Sequence, residues 1–203
     1  MKRIFRPVDL SAGEHLSPAY KAINPTSTIP ALVDGDNIIF DSSAISIYLV
    51  EKYAKNDSLY PKDLMLRTKV NERLFFIASF MFPRGTQMLY PICFGKATEI
   101  DETKLKEMMR GYETLDTFLT GNDYLTGSTM TLCDISGWSL MEASDRFLPV
   151  DEEKFPNLKR WLTKMREHPE YPLVKEGADM HMGFIKKCLE RNIAAATKAT
   201  AKP

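Results

Sequence analysis

Residues Asn24 to Leu49, NPTSTIPALVDGDNIIFDSSAISIYL, constrain the fold of this chain more than any other stretch. Thr28-Ile29-Pro30 sets an X-Pro bond directly before an apolar run. Proline is the residue before which a cis peptide lies only about 0.5–1 kcal/mol above trans. Ala31-Leu32-Val33 and Ile38-Ile39-Phe40 are two apolar runs joined by Asp34-Gly35-Asp36-Asn37, which predicts a β-hairpin. Asp41-Ser42-Ser43 then leads into Ala44-Ile45-Ser46-Ile47-Tyr48-Leu49, an N-cap signal followed by a helical run. A cis bond before Pro30 holds the Ile29 N–H and C=O outward, as a short edge that an extended peptide-like ligand can pair with. The helix start offers amide donors and a partial positive charge to a ligand carboxylate. Asp41, if it keeps its charge, suits an ammonium group. One stretch thus combines a β-edge for a peptide backbone with a clamp for a zwitterionic head group.

The remaining composition sets bounds. The chain has 203 residues and is 44% hydrophobic, enough for one sizeable globular unit or two small domains. Lys plus Arg equals Asp plus Glu at 27 each, so bulk charge favours neither nucleic acid nor an anionic membrane as a partner. Cys93, Cys133 and Cys188 are scattered and odd in number, which points to a reducing compartment and carries no metal-ligand spacing. MKRIFRPVDL lacks the apolar core of a signal peptide, and no apolar run is long enough to span a bilayer. A soluble, cytoplasmic protein without metal is the expectation.

Taken in order, Lys2 to Val8 reads as a strand, with Pro7 pushing it toward a sheet edge or strand end. A short helical segment opens at Ser11-Ala12-Gly13-Glu14 and runs through Tyr20 and Ile23, ended by Asn24-Pro25. After the hairpin and the helix Ser42 to Tyr53, the polar segment Lys55 to Asp63 marks a boundary between domains over 1–56 and 64–203. From Leu64 the period is helical, with Val70, Leu74, Ile77, Met81 and Met88 at three-to-four spacing and Pro83 interrupting. Lys104 to Leu119 is amphipathic. Thr131 and Asp134 form a capping-box pair bracketed by Met130 and Ile135, which reads as folding chemistry rather than catalysis. Phe155-Pro156 to Arg166 and Gly183 to Asn192 are further helices, and Ala194 to Pro203 is a low-complexity tail expected to fray.

The stretch NPTSTIPALVDGDNIIFDSSAISIYLVEKYAKNDSLYPKD resembles the insect delta/epsilon class of glutathione S-transferases, with its NP-x-x-TIP-x-L, acid-Ser-x-AI-x-x-YL and SLYPKD segments. Val8 to Leu16, VDLSAGEHL, and Ser128 to Ile135, STMTLCDI, resemble the same class, so the likeness covers nearly the whole chain in order. It implies an α+β thioredoxin-like N-terminal domain followed by an all-α C-terminal domain, with glutathione as co-substrate. By this resemblance Ile29, before a cis Pro30, pairs with the cysteinyl backbone of glutathione. Asp41 and Ser42 hold the γ-glutamyl end, and His15 stands near the glycyl carboxylate. Ser43 occupies a position where the family often has Arg or His. Ser27, next to Thr28, occupies one where the class commonly has His, so charge contacts are lost at both.

The resemblance also implies a strand and helix ahead of Lys2, leading into a loop with a catalytic serine, and nothing in MKRIFRPVDL matches them. Truncation is the favoured explanation, with a three-stranded variant as the alternative, because losing a central strand strands backbone polar groups. No residue is assigned the thiol-activating role; Ser11 aligns with a different loop. The electrophile site implied by the family draws on the first helix of the second domain and on the end of the chain. Phe80, Arg84 and Met88, with Met182 and Phe184, are the candidates, since methionine and aromatic side chains suit an adaptable apolar site. Leftover apolar surface fits the family's homodimer. Two functions are expected: conjugation of glutathione to small hydrophobic electrophiles in detoxification of xenobiotics, or non-catalytic binding of hydrophobic ligands on the same fold.

Overall fold

The computed structural model describes residues 4–10 and 12–200, which fall into two compact units dividing between Tyr60 and Pro61. The first unit contains a 3-10 turn, Glu14–Leu16, helix α1, Pro18–Ile23, strands β1, Ala31–Asp34, and β2, Asn37–Phe40, and helix α2, Ser42–Tyr53. The helical segment expected from Ser11 to Ile23 is therefore split. Pro18 has no N–H to continue the turn, so it starts a new helix at N1, where Ser17 Oγ accepts from the Tyr20 amide at 3.2 Å.

β1 and β2 pair antiparallel in the register Ala31↔Phe40, Leu32↔Ile39, Val33↔Ile38, Asp34↔Asn37. Gly35, first of the two central turn residues, takes φ 61, as a type II′ hairpin turn requires. Asp34 then ties the hairpin to α2: its Oδ2 accepts from Lys52 Nζ at 2.8 Å, Tyr53 Oη at 2.5 Å and Tyr48 Oη at 2.9 Å. The Lys52 ammonium and the two phenols hold the Asp34 carboxyl at about 2, below the ordinary carboxylate range.

The strand expected at Lys2 to Val8 is not formed over its described part. Ile4 to Val8 is irregular, with Ile4 88% and Phe5 92% exposed. A strand needs a neighbour to pair its amides and carbonyls. The sheet of the described residues has only the two hairpin strands. Met1 to Arg3 lie outside the described residues.

The second unit is helical: α3, Leu64–Phe76; a π-helical segment, Ile77–Met81; α4, Phe82–Cys93; α5, Glu102–Phe118; α6, Leu132–Ser144; α7, Pro156–Arg166; and α8, Tyr171–Thr200. The π segment is the interruption expected at Pro83, which supplies no amide and whose ring crowds the preceding turn. It also aims Ile77 and Met81 at two glycines. A Cβ on Gly111 of α5 would meet Met81 Sδ at 2.2 Å, and one on Gly137 of α6 would meet Ile77 Cδ1 at 3.3 Å. Around them Val70, Met108, Tyr112, Leu119, Leu158 and Leu162 have no exposed surface.

Two buried carboxylates organise this core. Asp134, fully buried, accepts from the Leu125 amide at 2.8 Å, the Thr131 amide at 2.9 Å, Thr131 Oγ1 at 3.1 Å and Trp161 Nε1 at 3.1 Å. It thereby closes the capping box of α6 and joins α6 to α7 and the preceding loop. Burial raises the Asp134 carboxyl above its ordinary value against the pull of these donors. Glu142, also fully buried, takes Arg146 Nη1 and Arg166 Nε, each at 2.8 Å, and Tyr171 Oη at 3.3 Å.

The last helix is longer than the expected Gly183 to Asn192, and the expected fraying from Ala194 does not occur up to Thr200. Asn192, buried, donates to Ile92 O at 2.9 Å and Ala97 O at 2.8 Å, anchoring α8 just before its alanine run. Alanine then has the highest helix propensity of any residue. Ala201, Lys202 and Pro203 lie outside the described residues.

Replacing Glu142 by alanine leaves two part-buried guanidinium groups facing a void. Arg166 keeps Asp145 and Arg146 keeps Asp179, so the expected loss is about 3 kcal/mol, at the low end for breaking a buried pair. Urea unfolding of Glu142→Ala against the parent measures it.

Candidate functional site

The loop from Asn24 to Pro30 is built on one side chain. Asn24 is fully buried, and its Nδ2 donates to Thr28 O at 2.7 Å and Thr28 Oγ1 at 3.2 Å. Its Oδ1 accepts from the Thr26 amide at 3.0 Å and Thr26 Oγ1 at 2.7 Å. Tyr20 Oη adds a second donor to Thr28 O at 2.7 Å, from α1. Ser27 takes φ 57 in the middle of this loop, and its amide donates to Asn24 O at 3.0 Å.

So braced, the loop delivers Ile29-Pro30 with a cis peptide bond. Ile29 is half exposed, and its backbone N–H and C=O carry no hydrogen bond among the described residues. The last pair of the register, Ala31↔Phe40, leaves Ile29-Pro30 leading into β1 and Asp41-Ser42 leading out of β2. The hairpin therefore brings the expected edge and the expected helix start to the same end of the sheet.

Asp41 has φ 75 and ψ 121, outside the allowed regions for a residue with a Cβ. Such a backbone costs of the order of 1–3 kcal/mol and persists where surroundings over-determine it. Here the helix cap does so: Asp41 Oδ1 accepts from the Ser43 amide at 2.9 Å and the Ala44 amide at 3.0 Å. The cap consumes two of the donors that the sequence suggested were open to a ligand. What remains are the Ser42 amide, without a protein acceptor among the described residues, the hydroxyls of Ser42 and Ser43, and Asp41 Oδ2. Ser42, Asp41 and Ile29 are all exposed.

His15 lies on the 3-10 turn, with a buried Nδ1 that has no partner among the described residues. Ser11 lies outside the described residues. In the helical unit, Phe80 belongs to the π segment, stacked on Phe76 at 4.9 Å. The Arg84 guanidinium lies 3.3 Å from the Phe80 ring centroid and donates to Phe80 O at 3.0 Å, while its Nε is buried without a partner. Met88 is only 1% exposed and lies in the core, where helix packing accounts for it. Met182 is half-buried on α8, and Phe184 is exposed with its ring 6.3 Å from Phe94, which in turn is 5.1 Å from Tyr90. Tyr90 and Phe94 thus join Phe184 in an exposed aromatic cluster that sequence periodicity did not single out. Asn24 and Tyr20 were also missed as supports; the one available signal was a tyrosine four residues ahead of Asn-Pro.

Two family descriptions match the chain in succession: glutathione S-transferase N-terminal domain over residues 4–57, and glutathione S-transferase C-terminal domain over 74–169. Glutathione S-transferase 1 of Manduca sexta is 36% identical over 165 residues, spanning 81% of this chain and 76% of that protein. This chain belongs to the glutathione S-transferase family. An epsilon-class glutathione S-transferase from the housefly, Musca domestica, superposes with a TM-score of 0.86 at 36% identity, covering 89% of this chain and 84% of that one. A glutathione transferase homologue from Drosophila mojavensis, solved with bound glutathione, matches with a TM-score of 0.86 at 34% identity over 89% of this chain and 83% of its own. The glutathione S-transferase fold, with a small N-terminal sheet of two strands among the described residues and a helical C-terminal half, is the architecture of this chain. Glutathione chemistry is the family's general activity. No helix among the described residues is long and apolar enough to cross a membrane.

Two substitutions probe the site's framework. Asn24→Ala removes four hydrogen bonds, leaving the Thr26 amide without its acceptor and Thr28 O with Tyr20 Oη alone, a loss of about 2 kcal/mol in denaturant unfolding. Asp41→Ala keeps the strained backbone and loses the cap, whereas Asp41→Gly loses the cap but relieves the strain. The glycine variant is expected to be the more stable of the two by about 1 kcal/mol, read by thermal unfolding of both.

Proposed function

We propose that this glutathione S-transferase binds glutathione across the Ile29–Ser42 end of its hairpin and conjugates it to small hydrophobic electrophiles. The observation that carries the reading is the end of the hairpin: an unpaired Ile29 backbone leads into β1 where β2 passes into α2 with its open Ser42 amide. The cysteinyl backbone of glutathione pairs with Ile29 N–H and C=O. The γ-glutamyl carboxylate takes the Ser42 amide and the hydroxyls of Ser42 and Ser43, and its ammonium meets Asp41 Oδ2. Pro30 fixes the direction of the edge. Ser27 and Thr28 border it, with Thr28 oxygens already engaged by Asn24 and Tyr20. His15 serves the glycyl end.

The reacting group is the glutathione thiolate, which attacks the electrophilic carbon and expels the leaving group with its bonding pair. A free thiol titrates near about 8.5, so donors beside the sulfur that favour the anion raise the reactive fraction at neutral pH. The Ile29 amide and the positive end of α2 are the groups of this chain suited to that task. Phe80, Arg84, Met182 and Phe184 are the proposed electrophile contacts, of which Phe184 with Tyr90 and Phe94 offers exposed aromatic surface; Met88, buried in the core, is not among them. A cytoplasmic homodimer acting in detoxification completes the reading. The exposed aromatic cluster also favours a second function on the same fold, in which a hydrophobic ligand is bound without chemistry.

Turnover of an aryl halide with glutathione, measured beside retention on immobilised glutathione, separates the two. Retention with turnover is expected for the transferase, and Asp41→Ala should then lower retention at least about tenfold, the loss of one charged contact. Retention without turnover leaves the binding protein. Absence of both overturns the placement of glutathione at Ile29 and Ser42.

A further inference from the structure

Three thiols occur in the helical unit, and two of them lie on helices that pack together. Cys93 is the last residue of α4 and Cys188 lies mid-way along α8. One face of α8 presses on the end of α4 around this point. Phe184 reaches Phe94 at 6.3 Å between ring centroids, and Asn192 donates to Ile92 O at 2.9 Å. Arg191 Nη2 donates to Cys93 O at 3.3 Å and to Ile92 O at 3.4 Å. Residues 184, 188, 191 and 192 share that face by helical spacing, so Cys188 is bracketed between contacts to residues 92 and 94. Cys188 is accordingly the α8 side chain that the packing sets beside the end of α4 at Cys93. Both cysteines are free, and they are 7% and 5% exposed.

We propose that Cys93 and Cys188 form a dithiol site that peroxide converts to an intramolecular disulfide between α4 and α8. The chemistry balances in two steps. The Cys93 thiolate attacks one oxygen of hydrogen peroxide, giving a sulfenic acid and releasing water once a proton is taken up. Cys188 then attacks the sulfenic sulfur, the S–S bond forms, and the hydroxyl leaves with a proton as a second water. The two thiols together lose two protons and two electrons, and the peroxide takes up both to become two waters.

The surroundings set the rate and the specificity. Burial, then the neighbouring Cys188, push the Cys93 thiol above its ordinary value, with Arg191 pulling the other way. Since the thiolate is the attacking form, oxidation speeds up as pH rises through the alkaline range. Cys133 has no cysteine partner: its Sγ lies 3.1 Å from Thr131 Oγ1, and burial pushes its thiol up to about 12. It therefore acts as an internal control that stays reduced. The bond cross-links positions far apart in sequence, so it restricts the unfolded chain and pins α8 to α4 beneath the Tyr90–Phe94–Phe184 cluster.

The test is intact-mass analysis of the native full-length chain after hydrogen peroxide treatment, followed by non-reducing peptide mapping. The expected product is lighter by about 2 Da, from loss of two hydrogens. It should carry a Cys93–Cys188 linked peptide and one alkylatable thiol at Cys133. Its apparent Tm should exceed that of the reduced chain by at least about 5 °C. Reduction by dithiothreitol should restore both mass and Tm. Cys93→Ser and Cys188→Ser should each abolish the 2 Da loss, and because the mapping is done on the parent chain the result does not depend on the variants folding. Oxygen addition without linkage, a link involving Cys133, a covalent dimer, or no reaction across the alkaline range would each overturn the proposal.

Discussion

Asn24 has no exposed surface, and its carboxamide spends two donor and two acceptor bonds inside a five-residue loop. A backbone carbonyl or amide removed from water must find a partner. In a loop it finds one only if a side chain is sent inward to supply it. Asn24 does this for the turn that carries Ile29 and Pro30, with Tyr20 of α1 sharing the load at Thr28 O. The direction of the Ile29-Pro30 edge thus depends on a residue whose side chain is spent wholly inside the loop.

The helical half repeats the device with a carboxylate. Asp134 gathers donors from the Leu125 loop, the start of α6 and Trp161 of α7. Each bond is modest in net terms, but leaving any one of the buried donors unpaired costs more than the bond itself contributes. That asymmetry makes the two residues intolerant of replacement although neither is a candidate for chemistry. Glu142 differs, because its arginine partners retain other carboxylates and some access to water.

At Asp41 one residue serves two demands that conflict. Its backbone adopts an unfavourable φ and ψ, and its carboxylate satisfies two amides of α2. Strain and cap together turn the chain from β2 into α2, at the end of the hairpin where Ile29-Pro30 leads into β1. The sequence pointed both to a cap at Asp41 and to a helix start able to hold a carboxylate. A capping side chain and a bound carboxylate want the same amides, and only the geometry shows how they are shared.

Much of this was legible in the chain itself. Pro30, the Asp34-Gly35-Asp36-Asn37 turn, the Asp41 cap and the Thr131–Asp134 capping box are local signals, because their physics acts over a few bonds of backbone. Ile4 to Val8 and the stretch after Ala194 were not legible in the same way. The former has β-forming residues but no strand to pair with, and the latter looked like a loose tail until Asn192 anchored the helix to Ile92 and Ala97. The π segment before Pro83 likewise depends on Gly111 and Gly137 receiving Met81 and Ile77. Sequence alone determined the hairpin, the caps and the family, since these follow from neighbouring residues. Tertiary structure decided which strand forms, how far α8 runs and that Cys188 is set beside the end of α4 at Cys93, because each of these requires a partner that lies distant along the chain.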